Sequence, residues 1–331
     1  MQLDTLVICA IAVLFAFLTT YFLTPRVAKK MLAIGRTGVD IHKNSKPAIP
    51  EMCGIAIMVG TTVSVLLITL IVPSRVAEYT SFLLASLIAG AVGIADDLKP
   101  LSPKLKPALT ALAGIPMIIL GTYSAHPYLP FIGPLRLTII YPLLIFFALA
   151  VPSNAVNMMD VFNGAMPSTC SVISIATVIF LVLSGRNEEA VLPLALLGSL
   201  LAFYIYNRYP ARVFAGDAGS LFTGAAIGCI AMLCRVEVAT VVAMMPHIMN
   251  AFYGLFSVGR LYEHREVKSR PTTLRGDELL EATKSKSAPV TLTRLILAQG
   301  PLSEKKIVDA MIALTVFSST LAIITQLLIL W

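Results

Sequence analysis

Long apolar runs, each about as long as a bilayer crossing, alternate with short polar stretches along almost the whole chain. A spanning helix needs roughly 17–25 mainly apolar residues. Runs of this kind centre on residues 4–24, 53–72, 80–95, 107–122, 137–156, 166–184, 190–207, 219–234, 237–258 and 308–330. The pattern predicts an all-α, polytopic integral membrane protein of ten transmembrane helices. The first run reads as a retained span, because Met1–Asp4 carries no positive charge that would open a cleavable leader. A helix bundle in lipid is one cooperative unit, so residues 1–331 are expected to form a single transmembrane domain.

Composition sharpens this picture. The 331 residues are 57% hydrophobic and 13% charged, against roughly half and a quarter in soluble domains. A cytosolic enzyme, a secreted disulfide scaffold and a disordered regulator are excluded. Cys9, Cys53, Cys170, Cys229 and Cys234 lie scattered in apolar runs and read as small buried hydrophobes.

Charge then sets the orientation. The net charge of +7 would suit nucleic acid, but its placement points elsewhere. Of the 25 Lys and Arg, 21 fall in the odd-numbered loops; the even loops hold only Arg75, Arg136, Arg186 and Arg235. Positive loops face the cytoplasm. The odd loops are therefore expected inside and both termini outside. Asp40, Glu51, Asp96, Asp97, Asp160 and Asp217 all fall on the inner side. A transporter would instead place ionisable groups near mid-membrane on interrupted helices. His247 and Asn250 are the main polar intrusions of that kind.

Four constellations carry candidate chemistry. GIADDLKP places Asp96 and Asp97 at the inner end of the third run. There the helix dipole disfavours acids, so Lys99, Lys104, Lys106 or a divalent cation should offset them. NMMDVFNG places Asn157, Asp160 and Asn163 on one broad helix flank. Their oxygens suit a hard cation, and Asn can also read a nucleobase edge; a structural reading makes them helix caps. RYPARVFAGDAGSLFTG sets Asp217 between Gly216 and Gly219 before an outward helix, where free N–H groups favour phosphate. Equally, Asp217 or Ser220 could simply cap that helix. RLYEHREVKSRP gathers His264, Arg265, Lys268 and Arg270, suited to phosphate oxygens or to anionic headgroups. Taken together these are the parts for metal-assisted phosphoryl transfer. No GxxxxGK[ST] loop or kinase signature is present.

In this order and on this side, the motifs resemble the polyprenyl-phosphate N-acetylhexosamine-1-phosphate transferase family, over nearly the whole chain. The chain is most similar to the eukaryotic and archaeal branch, the UDP-GlcNAc–dolichyl-phosphate GlcNAc-1-phosphate transferases. GRTGVDIHKNSKPAIPEMCG resembles that branch's G-x-D-x-x-K…I-P-E segment, and TLTRLILAQGPLSEKKIV its segment before the last helix. The cell-wall branch carries a His triplet in its last inner loop, where this chain has only His264.

The resemblance implies a ten-helix, often dimeric fold with a cytoplasmic active site built from loops 25–52, 96–106, 157–165, 208–218 and 259–306. It implies Mg²⁺-dependent (or Mn²⁺-dependent) transfer of GlcNAc-1-phosphate from UDP-GlcNAc to a membrane polyprenyl or dolichyl phosphate, releasing UMP and opening N-glycan assembly. By motif, Asn157 and Asp217 would bind the metal, with Asp96 and Asp97 positioning or deprotonating the lipid phosphate. Asn163 and Gly164 would meet uracil, and Lys106 the pyrophosphate. Lys268 and Arg270 fall where the branch carries an Arg-x-Arg pair for phosphate and sugar, while Asp160 follows the bacterial form and Glu51 would order the sugar pocket. The short last inner loop points to an archaeal cell membrane. The alternatives are a related phospho-N-acetylhexosamine transferase for cell-envelope polymers and, in another class, a nucleotide-sugar or lipid transporter.

Overall fold

The computed structural model describes residues 3–259 and 269–330. The apolar runs become helices α1 (Leu3–Ala33), α2 (Ile55–Ile71), α3 (Val76–Leu98), α4 (Leu105–Ala111), α5 (Ile115–Ile119), α6 (Tyr141–Met159) and α7 (Ala165–Leu183). They continue as α8 (Val191–Asn207), α9 (Gly216–Leu233), α10 (Glu237–Ala243), α11 (Met245–Val258), the short α12 (Leu292–Ile296) and α13 (Glu304–Leu330).

Seven of these helices are long and apolar enough to cross a membrane, or eight if the bent α10–α11 pair is one span. The polytopic helical class thus holds, while length and composition give seven or eight spans among the described residues where ten were expected. The shortfall has a local cause. A tight turn over Leu112–Gly114 followed by Pro116 divides the fourth run into α4 and α5, because proline removes a helix hydrogen bond. Pro246 begins α11 and sits at the 67° bend from α10. The α2 run is only 17 residues long.

The all-α expectation also needs amending. Three two-stranded antiparallel ribbons occur: β1 (Thr37–Val39) with β2 (Ala48–Pro50), β3 (Tyr128–Leu129) with β4 (Gly133–Pro134), and β5 (Thr272–Leu274) with β6 (Leu280–Ala282). The first pairs Gly38 with Ile49 and holds the loop after α1 in a fixed shape.

Helix α9 is the central post, buried from Ala218 through Met232 and packed against α3 and α6. Its sequence, GDAGSLFTGAAIGCIAML, is rich in small residues. In lipid, where apolar burial does not drive association, small residues let backbones approach closely. Gly93 of α3 makes that approach near the C-terminal end of the helix. A Cβ there would lie 2.3 Å from the Asp217 carbonyl oxygen and 2.6 Å from the Ala218 Cα. The start of α9 is thereby pressed against the acidic end of α3.

The bundle has two chemically distinct ends. The loops after α1, α3, α6 and α8 and the start of α13 meet at one. Arg75, Arg186 and Arg235 meet at the other, with Thr5 near the start of α1 and Ile329 near the end of α13. Both chain ends therefore lie on the arginine side.

Gly93→Leu should force α3 and α9 apart. Overpacking of this kind costs about 1–3 kcal/mol, so the melting temperature in detergent should fall. A variant that melts with the parent would show that the contact is not tight.

Candidate active site

Four elements deliver five polar side chains to one place. Asp96 and Asp97 end α3, Lys106 opens α4, Asn157 lies in the last turn of α6, and Asp217 begins α9. The Lys106 ammonium lies 2.7 Å from Asp96 Oδ2 and 2.7 Å from Asp217 Oδ2. Asn157 Nδ2 donates to Asp217 Oδ1 at 2.6 Å and to Ser220 Oγ at 2.9 Å. Asp96 also accepts from the Leu101 N–H at 2.6 Å, which folds the α3–α4 turn back onto the helix end.

Asp97 has a different job. Its two carboxylate oxygens accept the backbone N–H groups of Asp217 at 2.9 Å and Ala218 at 3.0 Å. The first N–H groups of a helix have no partner within it. Asp97 thus caps α9 from another helix and fixes where Asp217 points.

The charges do not balance. Asp96 and Asp217 share one ammonium at a site screened from bulk water, and Asp97 adds a third carboxyl group beside them. Like charges in low dielectric repel unless a cation intervenes. Of the two acids that contact Lys106, Asp217 is the more open, with its side chain 20% exposed against 9% for Asp96. Carboxylate and carboxamide oxygens are the donors a hard divalent cation takes, so the residues present fit Mg²⁺.

Asp160 follows α6 within range of the same charges. Burial pushes its carboxyl up to about 7, Asp217 adds to this, and the Met166 N–H opposes it. Glu51 follows β2, and its charge reaches Asp97. The loop bearing it is stitched to the start of α9 by backbone bonds from Cys53 to Phe214 and from Gly54 to Ala215, each 2.9 Å.

Asn163 and Gly164 sit beside this cluster but are committed elsewhere. Asn163 is buried, donating from Nδ2 to Asp40 Oδ2 at 3.0 Å and from its backbone to Glu304 Oε1 at 2.8 Å. Gly164 has φ +84 and gives its N–H to Asn207 Oδ1 at 3.1 Å. Arg270 is exposed, and its charge bears on His42. Lys268, with His264 and Arg265, lies outside the described residues.

The motif reading gave no role to Asp40, His42, Lys43 or Glu304, yet these tie the first loop to α13. Lys43 pairs tightly with Asp40 and lies 3.6 Å from Glu304. Burial would raise the Asp40 carboxyl, but hydrogen bonds from Lys43 and Asn163 outweigh it and hold the group below the usual carboxylate range. His42 stacks on Phe162 with ring centroids 4.5 Å apart. Donor atoms of Asp40, His42 and Glu304 approach within 4.8 Å of one another, and the Lys43 ammonium already supplies their cation. The available signal was Glu304, an acid in the first turn of a helix that is largely apolar beyond Asp309.

The chain matches the family model described as glycosyl transferase family 4 over residues 79–235, a stretch containing all five clustered side chains. It is 31% identical to a phospho-N-acetylmuramoyl-pentapeptide-transferase of Anoxybacillus flavithermus, over 69% of this chain and 75% of that one. It is 26% identical to a UDP-N-acetylglucosamine–dolichyl-phosphate N-acetylglucosaminephosphotransferase of Dictyostelium discoideum, over 88% of this chain and 82% of that one. A Methanocaldococcus jannaschii protein provisionally named a glycosyltransferase is 29% identical over 95% of each chain.

Lys43→Met should leave two buried acids without their cation. Breaking a buried pair in this way costs about 3–5 kcal/mol, to be read as lost thermal stability; an unchanged midpoint would remove the pair from the fold's supports. A second expectation concerns pH. Burial pushes the His42 imidazole down to about 4 from 6.5; Asp40 opposes this, and Lys43 and Arg270 reinforce it. Between those values the unfolded chain binds more protons than the folded one, so stability is complete above pH 6.5 and declines as pH falls towards 4. His42→Phe, which keeps the stack, should flatten that decline. Parallel profiles for parent and variant would contradict it.

Proposed function

Since the chain belongs to glycosyl transferase family 4 and its relatives are membrane glycosylphosphotransferases, we propose that it moves GlcNAc-1-phosphate from UDP-GlcNAc onto a polyprenyl phosphate of the dolichyl type, releasing UMP. The observation that carries this reading is the meeting of Asp96, Asp97, Lys106, Asn157 and Asp217 at one end of the bundle. A diphosphate needs positive charge and hard-cation ligands together, and this cluster combines both.

Asp217 and Asn157 would hold Mg²⁺, or Mn²⁺ in its place. When bound, the metal would neutralise pyrophosphate oxygens and draw charge from the departing UMP. Lys106, tethered by Asp96, presents an ammonium to the same oxygens. Asp97 keeps the α9 amides and Asp217 in register. Asp160, Asn163 and Gly164 line the adjoining turn, where the nucleoside end would lie. Glu51 approaches from the first loop and would border the sugar, with Arg270 and Lys268 supplying phosphate contacts from the last loop.

The lipid phosphate has a second pKa of about 6, so near neutral pH it is already a nucleophile. One of its oxygens attacks the sugar-bearing phosphorus, and the bond from that phosphorus to the UMP oxygen breaks with its electron pair going to UMP. Two features support a single displacement. Both Asp97 oxygens are held by backbone N–H groups, and the Asp96 oxygens by Leu101 and Lys106. Neither acid is poised as a covalent nucleophile.

The phospho-N-acetylmuramoyl-pentapeptide reading has support from the 31% identity, but over a smaller share of the chain. The dolichyl-phosphate relative aligns over 88% of it. For orientation, the cluster gathers with the Lys- and Arg-rich loops, so we assign that end to the cytoplasm and both termini to the outside. A transporter reading has less support, since the ionisable groups collect at one end of the bundle.

The test incubates purified protein with Mg²⁺, a short polyprenyl phosphate and a panel of UDP-sugars, and measures UMP. UDP-GlcNAc should be consumed, and chelation should stop the reaction. Asp217→Ala should lower the rate at least about a hundredfold, the scale of losing one preorganised charge-stabilising group, without loss of fold. A near-parental Mg²⁺-dependent rate would remove Asp217 from the centre. Flux of intact UDP-sugar across a sealed bilayer without UMP release would overturn the enzyme reading.

A further inference from the structure

At the end of the bundle opposite the carboxylate cluster, a cavity of about 610 Å³ opens between the ends of α3, α8, α9 and α13. From Glu78 to Asp97 along α3 the separation is roughly 30 Å at 1.5 Å per residue. This cavity therefore has no part in the site already described. Three of the four arginines in the even-numbered loops, Arg75, Arg186 and Arg235, line it; Arg136 does not. A segment that keeps so few cations on this side has brought most of them to one place.

The three differ in how they are held. Arg186 is fixed, pairing with Glu189 and donating to the Cys234 carbonyl. Arg75 is tethered only by a 3.6 Å contact to the exposed Glu188. Among the described residues, Arg235 forms no ion pair, and nearby Glu237 is engaged by the Tyr141 hydroxyl. Arg235 also stands at the C-terminal turn of α9 with φ 48, where Val236 N–H returns to Ala231 and Arg235 N–H to Met232. That position favours glycine. At the matching turn of α7 the chain uses Gly185. A bulky cation kept in left-handed backbone points to a demand for its side chain.

A further group needs a ligand. Gln326 of α13 lines the same cavity, is 3% exposed, and its Oε1 has no hydrogen-bond partner. Since the amide orientation is assigned from the hydrogen-bond network, this buried end can present N–H as readily as oxygen. Leu192, Leu233 and Ile329 supply an apolar wall.

We propose that this cavity binds the phosphate headgroup of an anionic membrane lipid. The guanidinium groups take the phosphate oxygens, Gln326 completes the contact, and the apolar wall receives the first carbons of the chain. This reading does not rest on the transferase assignment.

The test uses the full-length protein in detergent, stripped of lipid. Phosphatidylglycerol, phosphatidylcholine with the same chains, and inorganic phosphate are titrated separately, with the rise in melting temperature and native mass spectrometry as readouts. Phosphatidylglycerol should protect at lower concentration than either comparison, with one molecule retained. Arg75→Gln combined with Arg235→Gln should weaken that protection at least about tenfold, as expected for lost charge-assisted contacts. Gln326→Leu should weaken it without touching any charge, and Arg136→Gln should leave it unchanged. Circular dichroism and gel filtration of each variant check that the bundle is folded. Equal protection by phosphatidylcholine, or equal retention by the double variant and the parent, would overturn the site. Protection by inorganic phosphate at matching concentration would overturn the lipid assignment.

Discussion

Everything at the acidic end of the bundle depends on one buried ammonium. Lys106 stands between Asp96 and Asp217 with 2.7 Å to each, and without it α3 and α9 would bring like charges together where water cannot screen them. The ammonium neutralises only part of the acidity. Asp97 is kept tolerable by the N–H groups of the α9 terminus, which carry partial positive charge of their own. The remaining negative charge, set beside carboxylate and carboxamide oxygens, suits a hard divalent cation.

The rest of the bundle serves that arrangement. Helix α9 can be the central post because its small side chains let α3 and α6 approach its backbone. Gly93 permits the approach that places Asp217 against Asp96 and Asp97. A second polar knot, Asp40–Lys43–Asn163–Glu304, fastens the first loop and the α6–α7 turn to the start of α13. The two knots use the same device, one lysine between two acids. The first is left open at Asp217, whereas the second is closed and has a supporting role.

The opposite end follows a different logic. Positive charge is scarce there, yet Arg75, Arg186 and Arg235 share one cavity. The two ends thus differ in charge: one gathers acids around a single lysine, the other three arginines together with Glu78 and Glu189.

The sequence by itself determined the membrane class, the approximate placing of the apolar helices, and the sorting of basic loops to one end. These follow from local hydropathy and charge, which need no knowledge of neighbours. It also pointed to Asp96, Asp97, Asn157 and Asp217, because polar groups at the ends of apolar runs are costly without a purpose. Only the tertiary structure decided which oxygen meets which donor. Asp97 holds backbone N–H groups, Asn163 serves Asp40, and Glu304 reaches back across 141 residues to the Asn163 amide. Such pairings join residues far apart in the chain, and no periodic pattern encodes them. The same holds for the arginine cavity, whose members are single residues in separate loops until the bundle closes around them.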